Sequence, residues 1–263
     1  MNNNLTTLII LGIVVMLGLM LSVLLAVWFN FRKKNQHRRA MELLREQQQN
    51  QLIEAAIRSE ETERHRISET LHDEVGAILS SAKLHLLGIK QTALDEKDKK
   101  LHEKGAGLLN DVIKRVRGIS HNLHSNILKE FGFNEAIRHF LQQVTGGTVI
   151  HTETKLDEQF KNGAPELEIS LYRILQELIN NTLKYAGATQ LEINSNLGNQ
   201  ELIVNLIHNG NGLSQEEFET FTFRKEGLGL KNIRNRIRLL NGTIHFFKTS
   251  DTSTIRIAVP VQP

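Results

Sequence analysis

The sequence contains no cysteine and only three prolines. The first absence excludes a disulfide framework, redox or nucleophilic chemistry by thiols, and every cysteine-ligated zinc, haem or iron–sulfur site. All three prolines, Pro165, Pro260 and Pro263, lie in the C-terminal part, so long uninterrupted helices are permitted before them. Charge is missing as well: no Asp, Glu, Lys or Arg precedes Arg32. The formal net charge of +3 reflects one local cluster, Arg32, Lys33, Lys34, Arg38 and Arg39; without it the remaining chain is slightly acidic. No basic domain stands out, and direct nucleic-acid binding is not expected.

The uncharged N-terminus holds a long apolar run from Leu8 to Phe29, interrupted only by Gly12, Gly18 and Ser22. As a helix it would be roughly 33 Å long at ~1.5 Å per residue, which matches a hydrocarbon core of about 30 Å. A cleaved signal peptide would start with basic residues and end at a small-residue site. This segment starts Met-Asn-Asn-Asn and ends Trp28-Phe29-Asn30-Phe31. Residues 1–31 therefore read as a retained single-pass transmembrane anchor in contact with membrane lipid. Trp28 and Phe31 suit the interface, and the basic cluster puts the C-terminal side in the cytoplasm. Gly18, Ser22 and Ala26 fall four apart, a small-residue face that gives a weak hint of paired spans. Few residues precede the span, so no extracellular sensing domain is expected.

Residues 32–62 are rich in Glu, Gln and Arg, with Leu44, Leu52, Ile53, Ala56 and Ile57 at helical spacing. They read as a juxtamembrane signalling helix with an imperfect coiled-coil seam. The stripe then sharpens into Ile67, Leu71, Val75, Ile78, Ala82, Leu86 and Ile89, an amphipathic helix. The charged run Asp95 to Lys100 is expected to form a turn. A second stripe follows, made of Leu101, Leu108, Val112, Val116, Ile119, Leu123 and Ile127. Residues 63–130 thus form an all-α hairpin. Two single-striped helices enclose a core poorly, so two hairpins pairing as a dimeric four-helix bundle, a homodimer, is the natural solution.

His72 follows Leu71 and should lie on the solvent flank of the bundle, beside Asp73 and one turn before Gly76. A glycine there would clear space beside an imidazole approached by another molecule. Phosphoryl transfer to the ring suits this arrangement, with Asp73 holding the tautomer and accepting a proton. On spacing alone an ordinary surface histidine is the simpler reading.

The string Glu63-Arg64-His65-Arg66-Ile67-Ser68-Glu69-Thr70-Leu71-His72-Asp73-Glu74-Val75-Gly76 resembles the phosphoacceptor box of bacterial two-component sensor histidine kinases of the nitrate-sensor type. The resemblance covers roughly residues 60–263. It implies a short dimerising hairpin followed by an ATP-binding domain with the fold shared by DNA gyrase and MutL, and it makes His72 the phosphorylation site. It also implies Mg²⁺-ATP as phosphoryl donor, the receiver domain of a response regulator as partner, and the bacterial cytoplasmic membrane as location.

The C-terminal part, residues 131–263, reads independently as an α/β sandwich. Residues 148–156, 191–195, 202–207, 244–248 and 254–259 alternate as strands. Pro165 opens a helix bearing Leu171, Ile174, Leu175, Leu178, Ile179 and Leu183, and residues 229–240 form a short helix. The sheet is expected to be antiparallel or mixed, with helices on one face. On the long helix Glu177, Asn181 and Lys184 share a face. An amide oxygen, a carboxylate and an ammonium together suit a magnesium triphosphate, although a solvated polar face shows the same spacing. The run Glu177 to Ala186 resembles the family's asparagine box. That implies metal binding by Asn181 and a nucleotide contact for Tyr185, which stands where relatives often carry histidine.

Two glycine motifs follow, Asn209-Gly210-Asn211-Gly212 and Gly227-Leu228-Gly229-Leu230. The second precedes a helix whose free N–H groups can receive phosphate. Either alone is weak, since turns use glycine routinely. In this order they resemble the two glycine boxes of the ATPase fold, with a short lid between Gly212 and Gly227. Ser253-Thr254 resembles its terminal Gly-Thr, which implies that Thr254 helps line the adenine site.

Two positions depart from the family pattern. His208 stands where an aspartate usually accepts a hydrogen bond from the adenine amino group. A neutral imidazole can accept through one nitrogen and an imidazolium cannot, so base recognition would be weaker, shifted to Asn209 or carried by water; with the metal and phosphate boxes intact, a harmless variant is the simpler reading. Ala77 stands where relatives often carry a water-positioning glutamine, so weak or absent phosphatase activity is expected. His121 and His124 have no evident third ligand and are not read as a metal site. The sequence is thus read as a membrane-anchored, homodimeric ATP-dependent protein histidine kinase. The alternatives are an inactive dimeric signalling scaffold and an ATP-driven conformational machine; for the latter no transducer segment is evident.

Overall fold

The chain begins as one long helix, because nothing in its first third breaks one. The computed structural model describes residues 2–89, 95–123, 126–160, 163–222 and 228–261. It divides into two units, residues 1–55 and 56–263. Helix α1 runs Asn2–Glu69, and residues 1–55 hold nothing else. Among the described residues, one helix is long and apolar enough to cross a membrane by length and composition. Leu17, Leu19, Met20, Trp28 and Phe29 on it are exposed.

In the second unit, the end of α1 passes into a π-helical stretch, Thr70–Val75, and then into α2, Gly76–Leu87. Helix α3 follows at Glu96–Leu123. The charged run expected to turn the chain instead opens α3: the Asp95 carboxylate accepts the Asp98 backbone N–H at 2.7 Å, an N-cap that satisfies an orphan donor. The hairpin is antiparallel. The Ser68 hydroxyl donates to the Ser120 carbonyl and the Ser120 hydroxyl to that of Ser68, at 3.0 and 3.1 Å. Near the other end His102 Nε2 donates to the Leu86 carbonyl at 2.8 Å. Both contacts share one register.

The face that α3 turns inward carries His102, Ile113 and Ser120, not the larger stripe. Leu101, Leu108, Val112 and Ile119 remain exposed, as do Ile78, Leu84 and Leu87 on α2. The hairpin closes on Ile113 and two polar side chains, with Leu71, Val75 and Leu86 half-buried, and leaves the outward part of its apolar stripes exposed.

Helix α4, Asn126–Thr145, begins inside the stretch assigned to the hairpin and takes Ile127 from its second stripe, while the sequence pattern assigns no element to the remainder; it breaks at Gly132, whose φ of 79° suits glycine. Then come β1 (His151–Lys155), α5 (Pro165–Asn181, with Pro165 in its first turn), β2 (Gln190–Gly198), β3 (Glu201–His208), α6 (Gln215–Thr222), α7 (Leu228–Leu239), β4 (Thr243–Lys248) and β5 (Ser253–Pro260). The sheet is mixed, in the order β1-β2-β3-β5-β4, with β1 and β2 parallel and the other pairs antiparallel. Leu171, Ile174, Leu175 and Ile179 of α5 pack with Ile193, Leu202, Val204, Leu206 and Ile257 of the strands to form the core. Burial alternates along β3 as the two-residue period requires, and His208 takes its last inward position.

An ion cluster ties the end of α1 to this α/β part. Arg173 of α5 donates through Nε and Nη2 to the Glu61 carboxylate at 2.9–3.0 Å. It also donates to the carbonyls of Asn122 and Leu123 at the end of α3. Arg236 of α7 donates to both Glu60 and Glu61 at 3.0 Å. The two guanidiniums are only 5% and 4% exposed. Burial pushes the Glu60 carboxyl up, but the Arg236 and Arg64 guanidiniums outweigh it and hold Glu60 below the usual glutamate range.

Removing one member of such a group leaves buried charge uncompensated. Glu61→Ala is expected to lower the unfolding free energy by about 3–5 kcal/mol in a denaturant titration of the purified chain, whereas replacing the exposed Glu63 should change little. Because the folded-state pKa of Glu60 is depressed, its contribution is complete above the usual glutamate range and is lost as pH falls through the folded value. The melting temperature should therefore decline on acidification below that range, and less steeply in Glu60→Gln.

Candidate functional site

Two places in the second unit collect the residues singled out from the sequence. The first is the π-helical stretch. The Gly76 backbone N–H donates to the Leu71 carbonyl, an i→i+5 bond, and such one-turn insertions recur at functional sites. His72 and Asp73 both sit in it, 69% and 74% exposed. His72 Nδ1 lies 2.8 Å from Asp73 Oδ1. A carboxylate can only accept, so Nδ1 carries the hydrogen and Nε2 keeps its lone pair. Gly76 does not make the room expected of it: a Cβ there would meet only the Leu71 carbonyl oxygen, at an ordinary 3.5 Å. Ala77 is exposed at the start of α2.

The second place is a cavity of about 580 Å³ between α5, the end of β3, α6, α7 and the inner face of β4 and β5. Glu177, Asn181, Tyr185, His208, Gly212 and Gly229 all line it. Its wall is buried at Leu178, His208, Phe246 and Ile255 and opens at Tyr185 and Lys248. On α5 the Asn181 amide donates to Glu177 Oε1 at 3.3 Å. The N-terminal turn of α7 comes so close that a Cβ on Gly229 would stand 1.9 Å from Glu177 Oε1. Glycine is required there for the helix N-terminus and the carboxylate to border one space.

After Asn181, α5 continues into a second π-helical turn, Thr182–Ala186, which ends at Gly187 with a φ of 62°. That turn holds Lys184 and Tyr185. Lys184 is outside the cavity lining, with its ammonium 5.0 Å from the centre of the Tyr185 ring. The first glycine turn packs against this segment. A Cβ on Gly210 would come within 2.4 Å of the Ala186 carbonyl oxygen, and one on Gly212 within 2.4 Å of the Ser253 side chain.

Asn209 has another task. Its amide oxygen accepts the backbone N–H groups of Thr189 and Gln190, and its amide nitrogen donates to the Thr189 hydroxyl, at 2.8–3.0 Å. It braces the start of β2 and is not a cavity-lining residue. Thr254 lies on the other face of β5 from Ile255, a consequence of strand alternation. The hydroxyl that meets the glycine turn belongs to Ser253, which accepts the Gly212 N–H at 3.1 Å and donates to the Gly210 carbonyl at 3.3 Å. Gly227 lies outside the described residues.

His208 is 3% exposed, and its Nδ1 is buried without a hydrogen-bond partner among the described residues. Burial lowers its pKa below the usual histidine value, so the ring is neutral near pH 7.

The sequence reading did not single out the aromatic and basic side of the cavity. Phe218 of α6 stacks on Phe246 of β4 at 4.5 Å between ring centres. Lys248 donates to the Asn211 amide oxygen at 2.7 Å. Phe246 is one of the two buried residues of β4, and nothing local in the sequence shows which space it would border. Among the described residues, no group of three His, Cys, Asp or Glu side chains is placed to hold a metal ion. Asn181 and Glu177, which line the cavity, are oxygen donors that suit a hard cation shared with phosphate.

Known proteins bear on both places. Residues 63–128 match the family described as histidine kinase, and residues 166–263 match the histidine kinase-, DNA gyrase B- and HSP90-like ATPases. The oxygen sensor histidine kinase NreB of Staphylococcus carnosus is 27% identical over 216 residues, covering 81% of this chain and 60% of the relative. The sensor histidine kinase MctS of Rhizobium johnstonii is 26% identical over 212 residues, covering 80% of this chain and 45% of the relative. The chain thus spans about half the length of these relatives. Among solved structures, the catalytic domain of histidine kinase ThkA overlaps 48% of this chain and 90% of its own at 18% identity and a TM-score of 0.42, too loose a likeness to carry argument. The two family matches together take in more than half of the sequence and fall on the hairpin and on the cavity-bearing sheet, and the chain belongs to the two-component sensor histidine kinases of the nitrate-sensor type.

Proposed function

We propose that the chain is a membrane-anchored, homodimeric kinase that phosphorylates its own His72 from Mg²⁺-ATP and passes the phosphoryl group to an aspartate on a response-regulator receiver domain. The observation that carries this reading is the His72–Asp73 pair: an exposed imidazole whose Nδ1 bonds to a carboxylate at 2.8 Å presents its Nε2 lone pair as a nucleophile. The Nε2–phosphorus bond forms as the bond from the γ-phosphorus to its bridging oxygen breaks and ADP leaves. The Nδ1 proton then passes to Asp73, which leaves a neutral phosphoimidazole.

The cavity suits the donor. Its buried apolar wall accepts a flat base, while Asn181 and Gly229 border the N-terminus of α7, where backbone N–H groups favour phosphate. Asn181 would hold magnesium and Glu177 would order a water on it. When bound, the ion neutralises charge developing on the phosphates. Tyr185 and Lys184 stand at the open side.

The exposed apolar residues of α2 and α3 support a homodimer, since a second hairpin packed on them would complete a four-helix bundle. The uncharged apolar run and its basic flank support a single-pass anchor with the remaining chain in the cytoplasm. The four segments that follow from this reading are the anchor (1–31), the signalling helix (32–62), the phosphoacceptor hairpin (63–130) and the ATP-binding domain (131–263).

None of the described residues lining the cavity comes from Thr70–Val75. The ATP-binding part is instead clamped at Glu60 and Glu61, about 16 Å up the helix from His72 at ~1.5 Å per residue. Phosphoryl transfer within a chain therefore requires the clamp to open, and the signalling helix that carries Glu60 and Glu61 is placed to control it.

Incubation with labelled Mg²⁺-ATP should give acid-labile, alkali-stable label on the wild-type chain, and none on His72→Gln or Asn181→Ala. No label on a folded, dimeric, membrane-inserted wild type would refute the kinase reading and favour the scaffold. Gly229→Ala should keep its melting temperature within a few degrees, because Glu177 can swing aside. Its displaced carboxylate should weaken Mg²⁺-ATP binding about tenfold, or roughly 1.4 kcal/mol, in a calorimetric titration.

A further inference from the structure

Resting on the kinase reading, in which the clamp at Glu60 and Glu61 opens before transfer within a chain, the seat of these carboxylates has a second occupant. Glu61 accepts from both guanidiniums: from Arg173 through Nε and Nη2, and from Arg236 through Nη2, all at 2.9–3.0 Å. Glu60 accepts from Arg236 and from Arg64. The other partners of Arg173 are neutral, namely the carbonyls of Asn122 and Leu123 and the Gln176 amide oxygen. Two arginines on different helices thus converge on one carboxylate, and forked charge-assisted bonds of this kind select an anion over a neutral group.

This seat adjoins the nucleotide cavity. A second cavity, of about 250 Å³, is lined by Glu60, Arg64, Arg173 and Arg236 and also by Glu177 and Gly229. The last two line the nucleotide cavity as well, at the N-terminus of α7 where the phosphates belong. Along α5 Glu177 is about 6 Å from Arg173, and along α7 Gly229 is about 10 Å from Arg236, at ~1.5 Å per residue. A segment gripped by the two guanidiniums therefore lies one or two helical turns from the phosphates.

Between Glu60 and the end of α2, adjacent acidic residues recur once, at Asp73-Glu74. There they directly follow His72. Asp73 is committed to the imidazole, whereas Glu74 is exposed and has no ion pair among the described residues. Matching the two pairs puts Asp73 in the place of Glu60 and Glu74 in the place of Glu61, the carboxylate that both arginines share. Ser59 precedes the first pair where His72 precedes the second.

We propose that Glu74 is the positioning residue that docks the phosphoacceptor turn on the nucleotide-binding part of the same chain. Once the clamp opens, its carboxylate takes the seat between Arg173 and Arg236 and brings His72 to the second cavity, beside the phosphates. Glu61 is then an internal mimic of Glu74, and the clamp inhibits by filling the acceptor's own seat. The occupant comes from the same chain because α4 begins at Asn126, close behind the end of α3 at Leu123, which keeps a chain's own hairpin at high effective concentration.

The test is His72 labelling by the full chain reconstituted in lipid, at saturating Mg²⁺-ATP, for wild type, Glu74→Gln and Glu74→Asp. Nucleotide affinity and melting temperature are measured alongside. Glu74→Gln is expected to label at least about tenfold more slowly, the order of loss that misplacement of reacting groups produces, with affinity and melting temperature as in the wild type. Glu74→Asp should recover most of the rate. On the Glu60→Gln, Glu61→Gln background Glu74→Gln should still slow labelling, because docking follows release. Phosphoramidate phosphorylates imidazoles without a nucleotide domain, and it should label His72 equally in wild type and Glu74→Gln. Equal labelling of wild type and Glu74→Gln by Mg²⁺-ATP overturns the inference and leaves the kinase reading intact. A phosphoramidate rate that falls in parallel also overturns it, since Glu74 would then act on the imidazole itself. Label on Asn181→Ala chains mixed with His72→Gln chains overturns docking within one chain. No label on a folded wild type overturns both this inference and the kinase reading.

Discussion

The arrangement depends on one buried electrostatic cluster. Two guanidiniums on different helices of the α/β domain, Arg173 and Arg236, converge on two adjacent carboxylates, Glu60 and Glu61, near the end of α1. Neither arginine is tolerable at that depth without them. Arg173 also ties down the last carbonyls of α3, so one side chain joins both strands of the hairpin to the nucleotide domain. The helices that carry the arginines also carry the cavity: α5 bears Glu177 and Asn181, and α7 begins beside Gly229. A shift or rotation of the helix bearing Glu60 and Glu61 would be felt at both walls.

The chemistry of the two reacting places follows from local departures from regular structure. Both candidate reaction segments include a π-helical turn, one holding His72 and Asp73 and the other holding Lys184 and Tyr185. The extra residue in such a turn changes the helical phase and loosens the backbone ladder. It lets neighbouring residues present side chains that a continuous α-helix would splay apart. At His72 this turn holds the aspartate bond that sets the tautomer.

Much of this was legible because it rests on short-range patterning. The strands of the sheet and the helix opened by Pro165 follow from alternation and helical spacing, and the cavity-lining set of Glu177, Asn181, Tyr185, His208, Gly212 and Gly229 from the resemblance of its motifs to the family's boxes. What escaped the reading is set by long-range contact. Nothing near Glu61 in sequence announces Arg173 or Arg236. Thr254 and Ser253 are equivalent until the register of β5 against β3 decides which faces the glycine turn. Asn209 looked available for a base until the start of β2 claimed its amide. The Asp95–Lys100 run looked like a turn because it is charged, yet it is a capped and solvated first helical turn. The residues that α3 buries against its own hairpin, His102, Ile113 and Ser120, lie beside the apolar stripe and were not singled out, because only the pairing of α3 with the preceding helix decides which face turns inward.

The central claim is that the clamp at Glu60 and Glu61 holds the nucleotide cavity away from His72 of the same chain, and that transfer within a chain requires its release. The most direct measurement is the rate of His72 phosphorylation at saturating Mg²⁺-ATP in a chain carrying both Glu60→Gln and Glu61→Gln, alongside nucleotide affinity and melting temperature. The account predicts faster labelling per bound nucleotide than in the wild type. Labelling that is unchanged or slower, in a variant that still folds and binds nucleotide, would contradict it.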